Sequence, residues 1–91
     1  MMRISEAKRE KISEQILAFL YSSFPKPIFT SKIAHEIARD EEFVKSLLIS
    51  LKKKKLVMEI KKNQDGKDYL RRLRWKLGDE IFQAYKGYQK T

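Results

Sequence analysis

Four consecutive lysines, Lys52 to Lys55, interrupt the stretch LLISLKKKKLV, and a second basic group follows: Lys61, Lys62 and Lys67, then Arg72 and Arg74. Ammonium and guanidinium groups at this density suit one kind of chemistry, the non-covalent binding of a polyanion. Their placement is uneven. Residues 1–51 hold eight Lys/Arg against seven Asp/Glu, a net of +1, whereas residues 52–91 hold thirteen against five, a net of +8. That asymmetry points to nucleic acid first and an anionic membrane surface second, with a merely solvated surface as the alternative.

Covalent chemistry has little to work with. There is one histidine, His35, and no cysteine, so disulfides and thiolate catalysis are excluded. No Gly-rich phosphate loop, HExxH or Cys/His spacing is present, and His35 lacks the partners a metal would need. The chain is therefore expected not to be an enzyme and to carry no cofactor, metal or evident small-molecule ligand. Ninety-one residues suit one small domain. Without cysteine, a signal-like opening or an apolar run long enough to span a bilayer, a cytoplasmic location is expected. The Lys, Glu and Ile content leans towards a thermophilic source.

The elements that must position the basic residues are legible from periodicity. A helix is expected from about Ser5 to Ser23, with Ile12, Ile16, Phe19 and Leu20 as its buried stripe. Leu17 and Tyr21 lie off that stripe and give a second, weaker apolar side. Pro25 and Pro27 end the helix. After the extended pair Ile28-Phe29, Thr30 or Ser31 is expected to cap a second helix with Ile33, Ala34, Ile37 and Ala38 facing inward. Asp40 can cap a third helix, with Glu41 and Glu42 in its first turn and Val44, Leu47, Leu48 and Leu51 as its inner stripe.

The period then changes to two. Asp65-Gly66 is a hairpin signal, and a two-residue loop there sets Leu56 opposite Trp75, Met58 opposite Leu73 and Ile60 opposite Arg71 on the inner face. Val57 opposite Arg74 and Glu59 opposite Arg72 then point outward, and Trp75 and Leu73 join the core. Gly78-Asp79 opens a last helix carrying Ile81, Tyr85 and Tyr88 on one side, with Phe82 beside them. The expected fold is α+β and mostly helical: a three-helix core, a two-stranded β-hairpin wing and an extra C-terminal helix. Residues 1–77 form the domain, and residues 78–91 a helix that is a candidate dimerisation element.

This order, with Ile33-Ala34 early in the second helix and Val44, Leu48, Leu51, Leu56 and Val57 at matching offsets, resembles the winged helix-turn-helix family of DNA-binding domains found in small archaeal and bacterial transcription regulators. The resemblance covers about residues 8–77 and implies double-stranded DNA as partner, a third helix in the major groove and a wing along the backbone. In two places the chain departs from the family. Lys55 stands where members usually have Gly, so either it takes a left-handed conformation or the connection differs. The third helix opens on Asp40-Glu41-Glu42 at the end that would enter the groove.

Under that resemblance the helical wheel sorts the candidates. Glu42, Ser46, Ile49 and Lys53 fall opposite the buried stripe, at roughly 140–200° from Val44. Lys45 and Lys52 flank that line on one side and Ser50 on the other. Ser46 and Ile49 are the base-edge candidates. Lys45, Lys52 and Lys53, the wing residues Lys61, Lys62, Lys67, Arg72 and Arg74, and Lys32 on the second helix are phosphate candidates. Leu17, Tyr21, Ile81, Phe82, Tyr85 and Tyr88 either pack within one chain or form a homodimer seam. A second function stays open, a winged helix used for protein–protein interaction in a transcription or replication assembly, favoured by Glu41, Glu42 and Ile49 on the would-be reading face.

Overall fold

The computed structural model describes residues 5–60 and 73–89. Its order is α1 (Glu6–Ser23), β1 (Ile28–Phe29), α2 (Thr30–Ile37), α3 (Glu41–Lys53), β2 (Val57–Ile60), β3 (Arg74–Leu77) and α4 (Asp79–Gln89). It is the expected mostly helical α+β arrangement. The Asp65-Gly66 turn, together with Lys61, Lys62, Lys67 and Arg72, lies outside the described residues.

The cap of α1 is Ser5, whose Oγ accepts a hydrogen bond from the Lys8 amide at 3.2 Å. Ile12, Ile16 and Leu20 are buried at the spacing of one helical face. Phe24, held at ψ 139° ahead of Pro25, leaves the helix. The cap of α3 is Asp40, whose Oδ2 accepts from the Phe43 amide at 3.1 Å. Val44, Leu47, Leu48 and Leu51 are all buried, as their spacing requires.

Helix α2 departs from expectation at both ends. Neither Thr30 nor Ser31 caps it; the N-cap position is Phe29, with no side-chain cap hydrogen bond. Thr30 is instead buried, and its Oγ accepts from the Trp75 indole at 2.8 Å while donating to the Leu73 carbonyl at 3.3 Å. Satisfying a buried indole takes precedence over capping. At the other end Ala38 is exposed rather than inward, because the helix stops at Ile37 and Ala38 turns left-handed at φ 56°. The Ala38 amide donates to the His35 carbonyl at 3.2 Å and the Arg39 amide to Ala34 at 3.0 Å, the paired bonds of a Schellman ending.

The same ending closes α3. Lys55 takes φ 65°, its amide donates to Lys52 at 2.9 Å, and the Leu56 amide reaches back to Leu51 at 3.0 Å. Lys55 therefore accepts the left-handed conformation that glycine fills more cheaply. The turn also decides which way β2 faces. Val57 is buried and Met58 is 46% exposed, the reverse of the expected assignment. The observed pairs are Val57↔Leu77, Met58↔Lys76, Glu59↔Trp75 and Ile60↔Arg74, a three-residue offset from the register of a two-residue loop. An odd offset exchanges the faces of one strand. So β3 keeps its expected sides, with Trp75 inward and Arg74 outward, while β2 is turned over.

Strand β3 is central, since β1 pairs along its other edge through Ile28↔Trp75 and Phe29↔Arg74. Fully buried Trp75 thus lies on the middle strand of the three, which packs on α1, and bonds Thr30 at the start of α2, with Ile12, Ile16, Leu20, Ile33, Leu48 and Leu77 in the same core. Leu73 and Leu56 are half-buried at its margin.

Candidate nucleic-acid interface

Helix α3 presents Glu41, Glu42, Lys45, Ser46, Ile49, Lys52 and Lys53 to solvent. The wheel placed all of them but Glu41 outside the core, and the four buried residues of the opposite face hold them there. Ile49 is 39% exposed, so an apolar side chain stands in the middle of a polar line. The Ser46 hydroxyl donates to its own helix, to the Phe43 carbonyl at 2.6 Å, which leaves its oxygen as an acceptor. Among the described residues, Lys45 and Lys53 have no ion-pair partner.

Other candidates have contacts of their own within the chain. Lys52 Nζ lies 3.0 Å from Glu59 Oε1, tying the end of α3 to β2. Ser50 is half-buried and lines a groove between α1 and α3 together with Leu17, Leu47, Lys54 and Leu56, away from the outer line. Lys32 makes an i,i+4 pair with Glu36 at 3.3 Å on exposed surface. Arg74 leaves the outer face of β3 with its guanidinium 5.9 Å from the centre of the Phe29 ring.

A shallow groove of about 360 Å³ joins the start of α2, the first turn of α3 and the start of β3. Phe29, Thr30, Ser31, Glu41, Glu42, Lys45 and Leu73 line it. Lys45, which flanks the outer line of α3, and Leu73, the residue before β3, are thus two walls of one depression. Glu41 and Glu42 make its rim mixed in charge.

The aromatic candidates pack on one another within the chain. Phe82 stacks on Phe24 at 4.0 Å between ring centres and on Tyr21 at 5.2 Å, and Tyr85 lies 5.1 Å from Tyr21. Ile81 is half-buried beside Gly78, and the side chain of Tyr88 lies outside the described residues. Two cations missing from the sequence-level candidates also find aromatic partners. Lys76 Nζ is 5.3 Å from the Phe24 ring centre and 3.7 Å from Asp79 Oδ1, and the Arg9 guanidinium is 5.7 Å from the Phe43 ring centre. Strand alternation alone, which put Arg74 outward, would also have put Lys76 there. No local signal pairs Arg9 with Phe43.

Two helices joined by a tight left-handed turn, the second with an exposed outer face, and a three-stranded antiparallel sheet in which β3 pairs with both β1 and β2 define the winged helix-turn-helix fold. Solved structures share it. MepR of S. aureus in complex with DNA superposes with a TM-score of 0.70 at 23% identity, over 85% of this chain and 59% of that one. A MepR mutant from a multidrug-resistant S. aureus clinical isolate gives 0.69 at 22%, over 89% and 56%. A mutant of ZitR from Lactococcus lactis gives 0.68 at 19%, over 97% and 56%. At these identities the likeness is one of fold, and the chain spans a little over half the length of each. No family model and no curated protein sequence matches the chain.

Proposed function

We propose that the chain is a double-stranded-DNA-binding domain of a transcriptional regulator, with α3 entering the major groove and the basic segment 61–72 lying along the backbone. The observation that supports this reading is the shared groove of Lys45 and Leu73, which sets α3 beside the residue that directly follows the basic segment 61–72 in the sequence. Ser46 and Ile49 would read base edges, one through an acceptor oxygen and one against a thymine methyl. Lys45, Lys53, Lys32, Arg74 and the basic residues of segment 61–72 would meet phosphates. Residues 1–77 would form the binding domain. Residues 78–91 would add a helix whose aromatic layer, with Leu17 and Tyr21, extends into a homodimer seam. No helix among the described residues is long and apolar enough to cross a membrane, and a cytoplasmic location fits a chain that meets DNA.

Titration of a labelled mixed-sequence duplex against salt tests the proposal. Neutralising about five phosphates gives a slope of log K against log salt of about −4 to −5. A second reading is favoured by Glu41, Glu42 and exposed Ile49, which also suit a protein partner. A flat salt dependence, or no binding at about 50 mM salt, would favour that reading.

A further inference from the structure

Glu59 is out of place by the rules that shape the rest of β2. It pairs across the ladder with Trp75 and shares its inner face with Val57, yet it is a carboxylate in a strongly basic chain. Its side chain is only 10% exposed, so its charge is costly there unless matched. Lys52 supplies a match at 3.0 Å, reaching back from the last turn of α3. The intervening turn is rigidly specified by the left-handed Lys55 and the amide of Leu56 bound to Leu51. The end of α3 is therefore linked to β2 by a turn that two backbone hydrogen bonds close and by the Lys52–Glu59 ion pair.

We propose that Glu59 is a specificity-determining residue of the duplex-binding face. It holds Lys52 against β2 and removes one cation from the row of which Lys53 remains a member. This inference rests on the DNA-binding reading. Attraction to phosphate is independent of sequence, so each cation withdrawn lowers binding to every duplex, and proportionately more of non-specific than of specific binding. On a chain of net charge +9, an acid that restrains one lysine of the reading helix keeps base contacts from being outweighed.

The test measures the salt slope for a mixed-sequence duplex with the wild-type chain, E59Q, K53A and the double variant K52A/E59Q, each checked for cooperative melting. Release of Lys52 in E59Q should steepen the slope by about 0.9, which adds roughly a 3.5-fold loss of affinity between 50 and 200 mM salt. The double variant should return to the wild-type slope, and K53A should be shallower by about 0.9. If K53A lowers the slope while E59Q leaves it unchanged or shallower, the proposal is overturned, even when E59Q melts at a different temperature, because a purely structural pair moves melting alone. A wild-type chain with no salt-dependent binding overturns the DNA reading itself, and this inference with it.

Discussion

The indole N–H of Trp75 donates to the hydroxyl of Thr30 across 2.8 Å, linking residues 45 positions apart at the buried junction of β3 and α2. The Thr30 hydroxyl passes the chain on to the Leu73 carbonyl, which also receives the Thr30 amide at 3.2 Å. The first residue of α2 is thereby held to β3 and to the residue just before it.

Replacing Thr30 with valine keeps the shape and removes the acceptor, leaving the buried indole unsatisfied. T30V should lose about 1–3 kcal/mol of stability. T30S, which keeps the hydroxyl, should lose less. Chemical denaturation followed by tryptophan fluorescence reads both, and equal losses would show that the hydrogen bond is not what matters.

Lys55 and Ala38 both hold positive φ at Schellman endings. Glycine accepts that conformation without the Cβ penalty, so K55G should gain about 0.5–1 kcal/mol despite a more disordered unfolded chain. K55V should be destabilised, since a β-branched residue resists φ above zero. The denaturation midpoints of the two variants should move in opposite directions.

Contacts that position the protein and contacts that read sequence should separate on mutation. Changing Lys61, Lys62 and Lys67 together to alanine should weaken binding to all duplexes alike and make the salt slope shallower by about 2.7. S46A and I49A should leave the slope in place and alter preference among duplexes selected from a random pool. A triple variant with undiminished affinity would place the wing away from the backbone.

Phe82 touches both Tyr21 and Phe24, and all three rings are half-buried. F82A should cost about 1–2 kcal/mol through lost stacking and apolar contact. Sedimentation at micromolar concentration decides the wider role of this layer. If the aromatic helix forms a dimer seam, the melting midpoint of the wild-type chain should rise with concentration and that of F82A should not. A monomer with a concentration-independent midpoint would confine these rings to packing within one chain.

Much of this protein was determined by the sequence alone, wherever the signal is local. Ile12, Ile16 and Leu20 on α1, and Val44, Leu47, Leu48 and Leu51 on α3, are buried because helical period brings them to one face whatever lies opposite. Asp40 caps α3 through an amide three residues away. The outer line of α3 follows from the same period, and the concentration of positive charge after Leu51 needs no coordinates at all. Only the tertiary structure decided how distant segments meet. Thr30 looked like a cap until Trp75 claimed its hydroxyl. The alternation of β2 was visible, but not its face, because the register follows from the Lys55 turn and from Val57 settling opposite Leu77. Lys52 belonged with the outward cations until Glu59 was placed 3.0 Å away. Periodicity is carried by neighbours in the chain and survives without a fold; partnership between residues far apart in sequence exists only once packing has brought them together.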